Sequence, residues 1–369
     1  MTDLWGKPQP TNESTDHFFV TGDPVWIFGA GGFGRSLAKA CLSHGLEVLG
    51  FIQTHPQTSV LDGLPVFSWN ETPGCDRSIP LLIGIFNRDT PLDSLRSTAY
   101  EAGFSQVCMP WNYYGQLKEF LGWRYWLESP KTLLAYEDSL AWCYDRLADD
   151  TSRTCLRRCV SFRLGLDLNW SSFRHPEDQY FNQISIPSLR GRHISYVDGG
   201  AYIGDSFRKL LTSYPDFAVQ CAWLFEPDSS NYAQMIKAVR TMDVNCFCVP
   251  LGLSDRAQIL SFSGGVGEAG RFDADGNGSV ATVGLDELLG SQEIDFIKLD
   301  IEGAEAEALR GAARIIDKHR PVLAISCYHK PNDLWELPQL IDQLANGYKL
   351  FLRQHAYNSF DSVLYGVPE

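Results

Sequence analysis

The stretch ISYVDGGAYIGDS, residues 194–206, decides how the second half of the chain reads. An apolar run (Ile194, Tyr196, Val197) stops at Asp198; Gly199, Gly200 and Gly204 follow, and a helix-forming run begins at Phe207. That order describes a buried strand, a glycine turn and a helix start. Glycine lets backbone approach a ligand closely, and the first N–H groups of a helix are open to an anionic group. Many α/β folds hold one such turn. Its weight here comes from what lies downstream: LFEPD at 224–228, GLSD at 252–255 and DFIKLDIEGAE at 295–305.

Around this stretch, strand and helix alternate to the end of the chain. Strand ISYVD, helix 204–212, strand AWLFE (222–226) and helix NYAQMIKAV come first, then strand NCFCVPL (245–251) and a hairpin-like stretch from ILSFS to SVATVGL. Strand IDFIKLD (294–300), helix AEAEALRGAARII, strand PVLAISCY (321–328), a helix at 333–345 and the strands YKLFLRQ and SVLYGV complete the series. The alternation predicts a doubly wound α/β domain.

The first half repeats the theme. PVWIF (24–28) reads as a buried strand, GAGGFGRSLAKACLSHG (29–45) as a glycine turn and helix, and EVLGFI (47–52) as a second strand. Gly29, Gly31 and Gly34 fit G-x-G-x-x-G in the strand–turn–helix setting that this fingerprint requires. A NAD site also wants a carboxylate at the end of the second strand; Gln53, Thr54 and His55 stand there instead. IPLLIGIF (79–86), TPLDSLRSTAYEAG (90–103) and FSQVCMP (104–110) continue as strand, helix and short strand, with a boundary expected near Trp111–Gly122. The resulting division is a polar tail over 1–22, a Rossmann-like domain over 23–115, a helical connector over 116–190 and a second doubly wound domain over 191–369. Within the connector, 133–150 and 151–164 carry helical spacing, the second capped by Thr151. Trp123, Tyr125, Trp126, Trp142 and Tyr144 read as helix-packing core before they read as a carbohydrate platform. Arg153, Arg157, Arg158 and Arg163 read as a solvated or salt-bridged face before an entrance for acidic substrates.

Composition limits the partners. With 44% hydrophobic and 21% charged residues the 369-residue chain has ordinary globular content. Its net charge of −14 argues against a nucleic-acid backbone or an anionic membrane surface. The N-terminus lacks the pattern of a signal peptide, and no run of ~18 apolar residues would span a bilayer, so a cytoplasmic location is expected. The ten cysteines include no C-x-x-C pair and read as reduced thiols, Cys155/Cys159 and Cys246/Cys248 included.

The ordered pieces ISYVDGGAYIGDS, LFEPD, GLSD and DFIKLDIEGAE resemble the FkbM family of S-adenosylmethionine (SAM)-dependent methyltransferases, over about Tyr180 to the C-terminus. The resemblance implies a class I methyltransferase fold, a seven-stranded sheet that is mostly parallel with one reversed strand. It implies SAM as cofactor and O-methylation of a sugar, glycan or secondary-metabolite hydroxyl. On this reading Gly199, Gly200 and Gly204 cradle the methionine part of SAM, and Asp198 orients the turn or accepts from the cofactor's amino group. Glu226 takes both ribose hydroxyls, and Ser254 and Asp255 lie near the adenine. Asp300 and Glu302 position the acceptor or take its proton, or else cap the following helix; Lys298 pairs with Asp300. His329 is the first candidate for a general base and His355 the second. No metal is expected, because too few carboxylates are placed here. The segment around Gly29–Gly34 is similar to the nucleotide-sugar-binding domain of PglD-type sugar acyltransferases, with Gln53 and Thr54 where that family shows an acidic pair. It offers Gly29, Gly31 and Gly34 as a second ligand site. The alternatives are a nucleotide- or nucleotide-sugar-binding protein or non-catalytic sensor, and an NAD(P) oxidoreductase.

Overall fold

Strand β1 (Pro24–Phe28) is apolar throughout and buried along its length, so it needs strands on both sides. It lies parallel to β2 (Glu47–Gln53) on one side and β5 (Leu81–Ile83) on the other. In the computed structural model, which describes residues 5, 18–70, 76–169, 176–263, 271–272 and 278–369, these strands centre a six-stranded sheet. Its order is β3 (Val60–Leu61), β4 (Leu64–Ser68), β2, β1, β5, β6 (Val107–Cys108), with only β3 antiparallel. The expected tail over 1–22 lies outside the described residues apart from Trp5 and 18–22, as does the middle of the hairpin-like stretch.

The described residues form two compact units. The first takes in the chain up to 141, 154–174 and 356–360; the second takes in 142–153, 175–355 and 361–369. This division departs from the expected one, in which 116–190 stood apart as a connector. The physical reason is burial. Helix α3 (Pro110–Leu121), following α1 (Gly32–His44) and α2 (Leu92–Glu101), buries Trp111, Tyr113, Tyr114, Leu117 and Leu121, and Tyr113 donates its hydroxyl to the Ile83 carbonyl at 2.6 Å. A chain cannot be severed from its core at a face so apolar, and Pro110 opens this helix rather than closing a strand. Helices α4 (Pro130–Leu134), α5 (Glu137–Arg146) and α6 (Asp150–Arg163) follow. The cap of α6 is Asp149, whose Oδ1 accepts Ser152 N–H at 2.7 Å, not Thr151. Trp126 is core, edge-on to Phe86 and Phe162. Arg163 is buried too, its guanidinium 5.0 Å from the Trp126 ring centre, so it belongs to no solvated face.

The second unit holds the seven-stranded sheet. Its elements are β7 (Ile194–Gly199), α7 (Asp205–Ser213), β8 (Val219–Phe225), α8 (Ser229–Val239), β9 (Asn245–Val249), β14 (Phe296–Leu299), β15 (Val322–Ser326), α12 (Asp333–Leu344), β16 (Tyr348–Gln354) and β17 (Ser362–Pro368). Between β9 and β14 come a small sheet of β10 (Gly252–Leu253), β11 (Gln258–Ser263), β12 (Arg271–Phe272) and β13 (Gly278–Val283), and helix α9 (Leu285–Leu289). The strand order β16-β17-β15-β14-β7-β8-β9 is parallel except for β17, which runs against both neighbours. The chain moves outward from β7 in one direction and returns on its other side at β14, so the switch point falls between β7 and β14. Ligands of open α/β sheets lie outside the carboxyl ends of the strands at such a point. The expected helix 304–316 is two, α10 (Glu305–Arg310) and α11 (Ala313–His319). Gly311 stands between them as the residue after α10, and a Cβ there would stand 2.1 Å from the Ser254 carbonyl oxygen.

In the first unit, packing accounts for two of the three glycines in the fingerprint. A Cβ on Gly34 would lie 2.0 Å from the Gly29 carbonyl oxygen, and one on Gly29 would lie 2.4 Å from the Ile85 side chain. Nothing lies within 4 Å of a Cβ on Gly31, whose φ of −75° suits any residue. We therefore expect Gly34→Ala to destabilise by about 1–3 kcal/mol through overpacking and Gly31→Ala by less than about 1 kcal/mol. Urea denaturation of the two variants measures the difference, and equal losses would contradict the packing account.

Candidate active site

The site begins with a buried ion pair. Asp198 and Lys298 are register partners on β7 and β14. Lys298 Nζ stands 2.8 Å from Asp198 Oδ1 and donates to the carbonyls of Gly199 at 3.2 Å and Gly200 at 2.7 Å. Tyr196 donates its hydroxyl to Asp198 Oδ2 at 2.9 Å. Burial opposes charge on both members. It prevails at Asp198, whose pKa is raised, but not at Lys298, where Asp198 and Asp300 hold the ammonium's pKa above its ordinary value. Asp198 is wholly enclosed, with Lys298 and Tyr196 on its two oxygens. Lys298 pairs with it, not with Asp300 as the sequence suggests.

The turn passes over the end of β14. Gly200, at φ +71°, sits so close that a Cβ would stand 1.9 Å from the Asp300 carbonyl oxygen. Gly204, at φ +78°, ends the turn as the residue before α7. The N–H groups of Gly200 and Ala201 both donate to the Phe225 carbonyl, at 3.1 and 2.9 Å, which ties the turn to the end of β8. One residue on, Glu226 accepts Tyr202 N–H on Oε2 and Asp228 N–H on Oε1, each at 2.9 Å. Burial raises its pKa to about 7, against the lowering effect of those two hydrogen bonds. Ser254 and Asp255 lie beyond β10, where Gln258 Nε2 donates to Ser254 Oγ and Asp255 Oδ1, both at 3.1 Å.

Across the switch point, a second cluster gathers at the ends of β14 and β15. Asp300 Oδ2 accepts the Tyr180 hydroxyl at 2.8 Å, and its Oδ1 lies 3.3 Å from His329 Nε2. Glu302, at φ +54°, places Oε2 at 3.9 Å from the same nitrogen. On the other edge of the ring, His329 Nδ1 meets Glu305 Oε1 at 2.8 Å. Burial alone would depress the imidazole's pKa; Glu305, Glu302 and Asp300 outweigh it and lift the value from 6.5 to about 10. These carboxylates hold the proton on His329 more firmly than on an ordinary imidazole, which disfavours the general-base role that the sequence suggests for it. Asp300 moves the other way. Its burial, which disfavours charge, is overcome by His329 and Lys298, and its pKa falls. Asp333, buried beside the cluster, is raised to about 7 by burial and by Glu305. The residue before α10 is Ala304, which makes no side-chain cap, and Glu305 Oε1 reaches back to accept Ile301 N–H at 2.9 Å. His355 sits elsewhere in the unit, its Nε2 2.9 Å from the Tyr365 hydroxyl.

The structure thus joins Asp198, Gly199, Gly200, Gly204, Glu226, Asp300, Glu302 and His329 in one continuous constellation. Sequence reading missed Tyr180 and Glu305 as members. Glu305 had a signal in the spacing of DIEGAE, which returns an acidic side chain to the strand end after one tight turn. Tyr180, far from any motif, had none. The expectation that no metal binds rested on a shortage of carboxylates, and Glu305 and Asp333 remove that premise.

Residues 198–357 match the methyltransferase FkbM domain family. This span begins at the Asp198 of the ion pair. A crystal structure of a methyltransferase FkbM from Methylobacillus flagellatus KT shares the fold: it aligns over 94% of this chain and 90% of its own, with a TM-score of 0.74 at 23% identity. The structure of LepI in complex with SAM aligns over 62% of this chain and 55% of its own, with a TM-score of 0.31 at 11% identity. No curated protein matches the sequence. No described helix is long and apolar enough to cross a membrane.

Replacing Lys298 by Met leaves Asp198 buried without its partner. Such removals cost about 3–5 kcal/mol, whereas exchanging both members for apolar residues is often near neutral. We expect Lys298→Met to destabilise by that amount and Lys298→Met/Asp198→Leu by distinctly less. Chemical denaturation of the three proteins measures it; a double variant as damaged as the single one would show that the pair is not what the turn rests on.

Proposed function

We propose that the second unit is a SAM-dependent methyltransferase acting on oxygen, with a sugar, glycan or secondary-metabolite hydroxyl as acceptor. The observation that carries this reading is Glu226. A carboxylate has about four lone-pair sites, and two backbone N–H groups occupy two of Glu226's. The remaining two are suited to a pair of ribose hydroxyls, in a side chain already fixed at the carboxyl end of β8. The glycine turn supplies the close backbone approach, and the start of α7 supplies free N–H groups for the cofactor's carboxylate.

Methyl transfer asks mainly for alignment and exclusion of water. The methyl group leaves the sulfonium for the acceptor oxygen, S-adenosylhomocysteine remains, and the hydroxyl proton must depart. In this reading Asp300 and Glu302 receive the acceptor's hydrogen bond, and the proton passes through them to solvent. His329, charged, fixes the two carboxylates rather than abstracting the proton. Gly29 and Gly34 have packing roles in the first unit, and the proposal rests on the second.

Calorimetric titration of SAM and S-adenosylhomocysteine into wild type and Glu226→Ala tests it. We expect binding that weakens ~10-fold or more in the variant, about 1.4 kcal/mol. Hydroxyl donors favour the ionised carboxylate, so affinity should rise as pH passes up through about 7, and Glu226→Gln should flatten that rise. Stability should run oppositely: the folded protein holds this proton between about 4.5 and about 7 while the unfolded chain releases it, so stability falls as pH rises across that window. Absence of heat with wild type would sink the cofactor assignment. Transfer of labelled methyl to none of a panel of sugars, nucleotide-sugars and hydroxylated metabolites would sink the acceptor class.

A further inference from the structure

Glu305 has no task in methyl transfer as described, yet it is the most enclosed carboxylate of the cluster, 1% exposed. Its Oε1 is fully engaged by Ile301 N–H and His329 Nδ1. Its Oε2 is buried and accepts no hydrogen bond among the described residues. A buried carboxylate oxygen without a donor is costly unless a cation supplies the missing charge. The neighbours suit a cation. Asp300, Glu305 and His329 each offer one ligand atom, and the three atoms lie within 4.8 Å of one another. Atoms bound to one small cation at ~2.1–2.3 Å stand ~3 Å apart at right angles and over ~4 Å apart across it, so small side-chain rotations close the set.

We propose that Asp300, Glu305 and His329 form a divalent-cation site at the carboxyl ends of β14 and β15, with Glu302 beside it as a further oxygen ligand. Two or three carboxylates with one imidazole favour a hard or borderline ion such as Mn2+ or Mg2+ over a thiophilic one. Asp300, with 27% of its side chain exposed, faces the solvent side of the cluster, whereas His329 and Glu305 are closed off. An ion held here would keep coordination positions open toward an incoming hydroxyl and make that hydroxyl more acidic. This role rests on the methyl-transfer reading; the binding of the ion does not. The imidazolium described above fills the same negative well, so His329 must yield a proton when the ion enters.

The test uses the full chain, stripped with a chelator and desalted, with free Mn2+ followed by electron paramagnetic resonance during titration. We expect one saturable site per chain, weakened ~10-fold or more in Glu305→Gln and in Asp300→Asn. Asp300→Asn keeps the question open to experiment if the buried substitution prevents folding. Absence of saturable uptake by wild type up to millimolar Mn2+ would overturn the proposal and leave the proton on His329 as the cluster's cation. Uptake that both variants leave unchanged would put the ion elsewhere and overturn it equally. Mn2+ uptake by a protein that binds no SAM would support the site while removing the methyl-transfer reading, so the two failures are distinguishable.

Discussion

Lys298 and Asp198 face each other at 2.8 Å across adjacent strands, with almost no contact with water. Charges so enclosed are stable only when every lone pair and proton finds a partner. Here the surplus donors of the ammonium go to the carbonyls of Gly199 and Gly200, and the surplus acceptor of the carboxylate goes to the Tyr196 hydroxyl. One salt bridge therefore sets the path of the turn, and it does so at the switch point of the sheet. Its position explains why Gly200 must lack a side chain: the turn is drawn down until it touches the Asp300 carbonyl. The same contact places Asp300, and with it the second cluster, beside the glycine turn.

Much of this was legible in the sequence because it is local. ISYVDGG, LFEPD and DFIKLDIEG each announce a strand that ends in a polar or glycine turn, and strand ends are where an open α/β sheet keeps its chemistry. Glu226, Asp300 and Glu302 were singled out that way. What stayed hidden depends on adjacency. That Lys298 meets Asp198 follows only from β14 lying parallel to β7 in a particular register, which the 99 intervening residues do not encode in any local pattern. For the same reason His329 looked like an ordinary imidazole: its three carboxylate neighbours arrive from a different strand end and the first turn of the following helix.

The connector illustrates the other kind of illegibility. Its helices were readable from their periodicity, but periodicity shows that a face is apolar and not what covers it. Tyr113 hydrogen-bonds under β5 and Trp126 packs edge-on to Phe86, so these residues join the first unit. Asp149 caps α6 and also pairs with Arg353 on β16 at 2.7 Å, so residues 142–153 belong with the second. A capping aspartate that is also an ion-pair partner is decided by tertiary structure, and the nearer Thr151 was the reasonable local choice.

The two clusters of the second unit solve opposite electrostatic problems. In the first, one lysine meets one carboxylate and backbone carbonyls absorb the remainder, so the turn is fixed and its charge is spent internally. In the second, Asp300, Glu302 and Glu305 surround a single imidazole, and Tyr180 adds only a neutral donor. Three carboxylates thus face one imidazole, with Lys298 of the neighbouring pair also acting on Asp300. The cluster lies beside the turn that would present a sulfonium methyl group and at the strand ends where an acceptor oxygen would lie. On the proposed reading, the closed ion pair fixes the turn that meets the cofactor, and the carboxylates facing His329 stand where the acceptor arrives.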